Sequence, residues 1–190
     1  MRGVTVFGKP LRELKDQGPQ WVALNHRQQA MKLLADQPGA LFIGQGVAAD
    51  GVAGYDDLER VPMEQRIEFP VAEELNVGAA IGLSLQGFLP IVCIPRMDFL
   101  LRAMDQLVNH LDKLELMGRG QFKPKVIIRT RVGSRTPLDA GPQHTGDYTS
   151  AFRSMLTSVE VERVSNAASL VPAYQRAIDR PGSTLIVEAL

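Results

Sequence analysis

The feature that most restricts the fold of this chain of 190 residues is an alternation of short apolar runs with longer segments of helical spacing. The clearest apolar runs, each of strand length, are Ala40–Gly44, Ile91–Ile94, Val126–Ile128 and Thr184–Val187. Strands that are buried on both faces read as continuous apolar runs, and parallel strands need crossover connections between them. The alternation therefore predicts an α/β fold: a three-layer, doubly wound, mostly parallel sheet with helices on both faces. Ligands of such sheets bind at the carboxyl ends of the strands.

Weaker patterns complete the predicted order of elements. Two further strands are expected at Ile67–Phe69 and Val161–Val164. Helices are expected at Trp21–Asp36, Glu73–Gln86, Met97–Met117, Tyr148–Leu156 and Ala167–Asp179. The polar residues 1–19 contain helix breakers and are predicted to form an N-terminal extension, followed by a single domain over residues 20–190.

Composition excludes several classes of protein. The 21 basic and 21 acidic residues balance, so no field of one sign favours nucleic acid or an anionic membrane. The uncharged stretch from Leu75 to Pro95 is long enough to span a bilayer, but its polar residues, glycines and prolines divide it into a helix, a turn and a strand. The single cysteine, Cys93, lies in an apolar run and is expected to be buried. A lone buried thiol and the absence of a visible signal peptide favour a cytoplasmic location.

The segment from Phe69 to Gly87 carries the strongest functional signal. Glu73 and Glu74 stand in the first turn of its helical run. Gly78 and Gly82 then lie on one face of the helix, each at a cost of about 1 kcal/mol relative to alanine. Two glycines on one face predict that a large group approaches the helix backbone there. A carboxylate at the start of such a helix is a candidate acid–base group, although a glutamate in a first turn also complements the helix dipole.

Four segments, taken in order, resemble the pyrimidine-binding domain of thiamine-diphosphate enzymes of the transketolase and 2-oxoacid dehydrogenase type. They are Pro70–Glu73 with the glycines that follow it, Asp98–Gln106, Lys125–Arg129 and Gly141–His144. The likeness covers residues 25–190 and is nearest to the N-terminal domain of the beta subunit of the 2-oxoacid dehydrogenase first component. The resemblance implies the thiamine-diphosphate-binding version of the α/β fold and a site for the pyrimidine half of that cofactor.

The same resemblance implies that Glu73 is both a catalytic and a cofactor-binding residue. In this family the corresponding glutamate hydrogen-bonds a ring nitrogen of the aminopyrimidine, and protonation of that nitrogen lets the cofactor activate its own thiazolium carbon. A carboxyl group that shares a proton in this way should be buried, because burial disfavours its charged form. The spacing from Pro70 favours Glu73 over Glu74 as this residue.

Three other residues take roles from the resemblance. Phe99 corresponds to an aromatic ring that packs against the aminopyrimidine, although the start of an amphipathic helix also suits a core residue. Arg102 corresponds to a phosphate-binding arginine of deoxyxylulose-phosphate synthase and is a candidate substrate-binding residue. Its alternative is an ion pair with Asp98 or Asp105. His144 corresponds to a histidine that faces the reacting centre, where it would bind substrate or carry a proton near neutral pH as a catalytic residue.

The family holds the diphosphate and its Mg²⁺ on a second domain, with a Gly-Asp-Gly motif and a downstream asparagine. Ala49–Gly51 with Asn76 imitates that spacing, but Asn76 falls inside a predicted helix, so the match is taken as chance. The chain also ends where the family's pyrimidine domain ends. We therefore expect a stand-alone subunit without a metal site, which needs an alpha-type, diphosphate-binding partner in a two-fold heterotetramer. A lipoyl-bearing acyltransferase is a possible further partner, whereas nucleic acid and membrane are not expected.

The expected activity is cleavage of a carbon–carbon bond next to a carbonyl, in a 2-oxoacid dehydrogenase-like reaction. Gln45 and Pro95 depart from the dehydrogenase branch, and Gly141–Pro142 is closer to the transketolase branch. A split transketolase that moves a two-carbon unit between sugar phosphates therefore stays open as an alternative. A non-catalytic regulatory subunit is the third alternative, against which the joint presence of the predicted site residues argues.

Overall fold

The computed structural model describes residues 5–6, 9–10, 19–51, 54–135 and 139–190. Its main sheet has six strands, and every neighbouring pair in it is parallel. In chain order the strands are β3 (Ala40–Gly44), β4 (Arg66–Glu68), β5 (Leu89–Ile94), β6 (Ile127–Arg131), β7 (Glu160–Val164) and β8 (Thr184–Glu188), after a short antiparallel pair, β1 (Thr5–Val6) and β2 (Lys9–Pro10). In space the order of the main sheet is β4-β3-β5-β6-β8-β7. The predicted α/β class and the parallel sheet are confirmed.

Helices cover both faces of this sheet. They are α1 (Pro19–Ala35), α2 (Glu73–Leu85), α3 (Met97–Leu100), α4 (Leu114–Met117), α5 (Thr149–Met155) and α6 (Leu170–Asp179). One core cluster contains the buried residues of α1 and α6, and a second contains those of α2, α5 and the segment from Met97 to Leu111. Side chains of β5 and β8 alternate between the two clusters, so the sheet is the middle layer of three.

Burial explains why the central strands could be predicted from the sequence. All six residues of β5 and all five of β8 are buried. Cys93 lies in β5 with 9% of its surface exposed, as predicted, and burial raises the pKa of its thiol to about 11. A parallel sheet covered on both faces requires such continuous apolar runs.

The helix predicted over Met97–Met117 is present, but it is not a single α-helix. The segment begins as α3, passes through a 3₁₀ turn at Leu101–Ala103 and a π-helix at Asp105–Leu111, and ends as α4. The spacing of apolar residues correctly indicated the buried face of this segment, because Leu100, Leu107 and Leu111 are all buried. What the spacing missed is a long-range contact directly after the π-helix. There, Asp112 accepts hydrogen bonds from the backbone N–H groups of residues 157–159.

Other boundaries differ from the predictions by a few residues, mainly because strands extend further than their apolar runs. β6 continues to Arg131 through three polar residues, and β5 begins at Leu89. Most of the predicted N-terminal extension, residues 1–19, lies outside the described residues, so that boundary stays a prediction. Within the described ranges, none of the helices has both the length and the apolar character that a membrane span needs.

Candidate functional site

The four predicted site residues lie in segments that follow the carboxyl ends of three strands. Glu73 follows β4, Phe99 and Arg102 follow β5, and His144 follows β6. This is the edge at which parallel α/β sheets bind ligands. The structure brings the residues together in two pairs, Glu73 with Arg102 and Phe99 with His144. The helical segment that begins at Met97 joins the pairs because it carries a member of each.

Glu73 is buried at the first position of α2, with 3% of its surface exposed, whereas Glu74 beside it is exposed. The difference comes from the helix packing: Val77 and Ala80 lie on the same face as Glu73 and are anchored in the core. Although Glu73 is buried, its Oε2 accepts no hydrogen bond from the described residues. A buried acceptor without a partner is unfavourable, and such atoms are uncommon in native proteins.

The carboxylate of Glu73 opens onto a groove of about 430 Å³ between α2 and the segment that follows β5. Arg102 lies across this groove, with its Nε 3.4 Å from Oε2 of Glu73. The contact has ion-pair distance but not hydrogen-bond geometry, and the Arg102 side chain is 73% exposed. Oε2 is itself buried, so a ligand in the groove would reach it by displacing the exposed Arg102 side chain, which forms no hydrogen bond to it.

The predicted alternatives for Arg102 do not occur. Asp98 is used elsewhere, since it accepts hydrogen bonds from the backbone N–H of Gly146 and from the hydroxyl of Tyr148. Asp105 accepts a hydrogen bond from Asn109, and its Oδ2 lies 3.3 Å from Nε2 of His110. Arg102 therefore faces Glu73 rather than either aspartate.

The two glycines of α2 have different surroundings. A Cβ on Gly78 would lie 3.2 Å from Oε1 of Gln106, which is a tight contact, and both residues line the groove. A Cβ on Gly82 would meet nothing within 4 Å among the described residues, and Gly82 is exposed. The expectation that a large group approaches both glycines is therefore met within this chain only at Gly78, where Gln106 makes the approach.

Phe99 and His144 form the second pair, with ring centroids 5.4 Å apart and an interplanar angle of 83°. Phe99 is half-buried and packs against the core as well, so the two predicted roles for it are compatible. The Nδ1 of His144 is buried and has no hydrogen-bond partner among the described residues. This edge of the sheet thus holds a second polar side chain with an unused hydrogen-bonding atom.

Gly133 explains how the loop after β6 presents His144. A Cβ on Gly133 would lie 1.8 Å from the carbonyl oxygen of His144, a distance that no side chain can tolerate. The loop and the histidine backbone can therefore pack together only because position 133 has no side chain. Sequence reasoning missed this residue, because Gly133 lies outside the Gly141–His144 motif and nothing local marks its partner.

A buried cluster of charges beneath the same edge was also missed, although one member, Arg129, belongs to a motif segment. Arg129 donates from Nη2 to Oδ2 of Asp57 at 2.7 Å and to Oε1 of Glu188 at 3.0 Å. Arg27 donates to Oε2 of Glu188 at 2.8 Å, and the Tyr174 hydroxyl donates to Oε1 of Glu188 at 2.7 Å. Burial alone would raise the pKa of Glu188, but Arg129 and Arg27 outweigh it and hold that pKa below its usual value.

Asn76 lies inside α2, as predicted, which supports taking its resemblance to a diphosphate-site asparagine as chance. It is 2% exposed, and its Oδ1, one helical turn after Glu73, has no hydrogen-bond partner among the described residues. In the described part of the chain no cluster of three or more histidine, cysteine, aspartate or glutamate side chains could hold a metal ion.

The parallel sheet defines this chain as an α/β domain, with a candidate ligand site on the segments after β4, β5 and β6. A family model described as the transketolase pyrimidine-binding domain matches residues 25–189, and the chain belongs to that family. The family assignment confirms the resemblance on which the site residues were chosen.

Curated relatives include beta subunits of 2-oxoacid dehydrogenases. The pyruvate dehydrogenase E1 component subunit beta-3 of Oryza sativa subsp. japonica is 33% identical over 58% of this chain and 28% of its own length. The 3-methyl-2-oxobutanoate dehydrogenase subunit beta of Mycobacterium tuberculosis is 27% identical over 82% of this chain and 44% of its own length. The chain therefore spans less than half the length of these relatives.

Solved structures of transketolases share the fold. A structure described as a split gene transketolase, inactive beta4 tetramer, matches with a TM-score of 0.68 and 18% identity, over 88% of this chain and 51% of that one. The transketolase of Campylobacter jejuni matches with a TM-score of 0.65 and 17% identity, over 87% of this chain and 25% of that one. At these identities the likeness establishes the three-dimensional fold alone.

Proposed function

We propose that this chain binds the pyrimidine half of thiamine diphosphate and belongs to an enzyme that cleaves a carbon–carbon bond next to the carbonyl of a 2-oxo acid. The observation that carries the proposal is the carboxylate of Glu73. It is buried, one of its oxygens has no hydrogen-bond partner among the described residues, and it opens onto a groove. A pyrimidine ring nitrogen that lay there would, once protonated, supply the missing donor.

The predicted site residues at this edge of the sheet fit this cofactor. Glu73 would hold the ring nitrogen and share a proton with it. Phe99 would pack against the ring, and His144 would face the reacting centre, where its edge contact with Phe99 fixes the orientation of the imidazole. When it is bound, thiamine diphosphate supplies the nucleophilic carbon and stabilises the carbanion that the cleavage produces.

The names of the relatives support a 2-oxo acid as substrate. The matching chains include pyruvate and 3-methyl-2-oxobutanoate dehydrogenase subunits, which are beta subunits of larger enzymes. A two-carbon transfer between sugar phosphates is the alternative, and the observation that favours it is the exposed Arg102 across the groove from Glu73. An exposed guanidinium at that place would suit the phosphate of a sugar.

We propose further that an alpha-type subunit holds the diphosphate and its Mg²⁺, in a two-fold heterotetramer. The relatives' names, which specify a beta subunit, support a partner of this kind, and a closed two-fold assembly is the common arrangement. A lipoyl-bearing acyltransferase would then accept the acyl group. The proposed compartment is the cytoplasm, which suits the buried free thiol of Cys93.

The test is to copurify the chain with its candidate alpha-type partner and to measure thiamine diphosphate binding by calorimetry in the presence of Mg²⁺. We expect Glu73→Gln to weaken binding and the matched variant Glu74→Gln, at an exposed position, to leave it unchanged. Equal affinity of the wild type and Glu73→Gln would reject the assignment of the site.

The substrate class is tested in the same complex. Reductive acylation of a lipoyl domain by a 2-oxo acid would support the dehydrogenase-like reaction. Two-carbon transfer between sugar phosphates, abolished by Arg102→Ala, would support the transketolase alternative. Cofactor binding without either turnover would support the regulatory subunit.

A further inference from the structure

Arg96 is a cation at the site edge whose hydrogen-bonding capacity is only partly used. It lies directly before α3, at the carboxyl end of β5, and is half-buried. Its Nη1 donates to the carbonyl of its own neighbour, Pro95, at 2.8 Å. Its Nε is buried and has no partner among the described residues, and none of the described carboxylates forms an ion pair with it.

Arg96 is a neighbour of His144. Gly133 connects the two: the site of a Cβ on Gly133 lies 1.8 Å from the carbonyl oxygen of His144 and 3.4 Å from Nε of Arg96. The backbone of His144 and the guanidinium of Arg96 therefore pack on the same glycine. Each residue also has a buried nitrogen without a partner among the described residues, Nε of Arg96 and Nδ1 of His144. Elsewhere in the described chain the buried guanidiniums of Arg66 and Arg129 each donate several hydrogen bonds.

The Nε–H of Arg96 is a fixed donor with a permanent positive charge, and Nδ1 of His144 donates in the tautomer that carries its proton there. Together they provide the chemistry of a site for a small oxyanion. A guanidinium edge matches a planar carboxylate, and its charge strengthens the hydrogen bonds that it donates. Arg96 brings one permanent charge, because Asp98, two residues on, is engaged by Gly146 and Tyr148 instead. One permanent positive charge balances a monovalent carboxylate better than a doubly charged phosphate.

We infer that Arg96, together with His144, binds the carboxylate of the substrate. This inference rests on the proposed function and adds a specificity residue to it: Arg96 would select 2-oxo acids over uncharged carbonyl compounds and over sugar phosphates. Glu73 and Arg96 would then act on different molecules, the cofactor and the substrate. The resemblance to the family had assigned no role to this position.

The experiment is a nuclear magnetic resonance titration of the full chain, observing the arginine Nε–Hε groups and the histidine ring signals while pyruvate is added. We expect saturable shifts at Arg96 and His144. In Arg96→Gln the apparent affinity for pyruvate, read from the shifts at His144, should fall roughly tenfold or more, since a hydrogen bond to a charged group is removed. Arg96→Lys should restore part of the affinity, because it keeps the charge but not the planar edge. The control Arg176→Gln, on α6 across the sheet, should bind as the wild type does.

Three results would overturn the inference. They are the absence of a pyruvate-dependent shift at Arg96, equal pyruvate affinity in Arg96→Gln and the wild type, and tighter binding of inorganic phosphate than of pyruvate at these residues. The titration contains no cofactor and no partner, so its outcome is independent of the Glu73 test. A wild-type complex that binds no thiamine diphosphate, or equal affinity of the wild type and Glu73→Gln, would instead reject the proposed function and leave the anion site standing.

Discussion

Two regions of this protein bury glutamates, and they differ in how those carboxylates are satisfied. In the cluster beneath the carboxyl edge, Glu188 is fully buried and accepts hydrogen bonds from Arg27, Arg129 and Tyr174. At the start of α2, Glu73 is buried almost as completely, yet one of its oxygens has no hydrogen bond and its cation partner is largely exposed. The comparison teaches that burial alone does not identify a functional carboxylate. The unused bonding capacity is what makes Glu73 the candidate, because the carboxylate of Glu188 is already paired within the chain.

The largest effect is expected from Glu188→Gln. The change removes the carboxylate that pairs with Arg27 and leaves Arg129 with Asp57 alone, and breaking a buried ion pair costs about 3–5 kcal/mol. The free energy of unfolding from urea titration measures this loss. Arg176→Met, which removes an exposed ion pair with Glu162, is the control and should cost at most about 1 kcal/mol. A loss of similar size in both variants would show that the cluster is not a structural support.

A second fully paired carboxylate, Asp112, extends the comparison to pH. Burial would raise the pKa of Asp112, but hydrogen bonds from Lys113 and from the backbone N–H groups of Val159, Ser158 and Thr157 outweigh it and hold that pKa far below its usual value. A group whose pKa is lowered by folding stabilises the protein above its unfolded pKa. This contribution should begin to decrease as the pH falls below about 4, and it disappears only when the pH has passed the lowered pKa of the folded state.

We therefore expect Asp112→Asn to cost about 2 kcal/mol at pH 7 and clearly less at pH 3, because the hydrogen bonds to a charged acceptor are lost. Unfolding curves at the two pH values check this. A cost that does not change between them would contradict the assigned charge state.

A smaller effect of opposite sign is expected at the open face of α2. Gly82→Ala should stabilise the isolated chain by about 0.5–1 kcal/mol, because the new methyl group meets nothing and alanine favours the helix. Gly78→Ala should gain less, since its Cβ would press on Gln106. Thermal unfolding of both variants gives the difference. Destabilisation by Gly82→Ala would mean that this face is already covered in the isolated chain.

The smallest change in stability is expected from Glu73→Gln. The variant loses only a weak contact with the exposed Arg102, so its free energy of unfolding should stay within about 1 kcal/mol of the wild type. It carries the same substitution as Glu188→Gln, at a position of similar burial. A cost as large as that of Glu188→Gln would remove the distinction between the two regions.

Features that depend on neighbouring residues in the chain could be predicted from the sequence. Ala40–Gly44 was located to the residue, because five apolar residues between breakers can only be a buried strand in this fold. Glu73 rather than Glu74 was identified from its spacing and turned out to be the buried one. The assignment of roles to Glu73, Phe99, Arg102 and His144 stays a prediction.

Features that depend on distant partners were not predictable from one sequence. The π-helix leads into Asp112, whose backbone partners lie more than forty residues further along the chain. The ion pairs of Arg129 join β6 to Asp57 and to Glu188 on β8, and no pattern of spacing in the sequence indicates these partners. Gly133 and Arg96 acquire meaning only when the loop after β6 is folded against the end of β5. In each case the feature depends on a contact between residues far apart in the chain rather than on the spacing of residues in the sequence.

The most direct test of the account is the thiamine-diphosphate-dependent turnover of the copurified complex with wild-type, Glu73→Gln and Glu74→Gln chains. The account predicts that Glu73→Gln lowers turnover by about 100-fold or more, as removal of a positioned acid–base group does, while Glu74→Gln retains it. Turnover by Glu73→Gln equal to that of the wild type would contradict the claim that this unpaired carboxylate is the cofactor's partner.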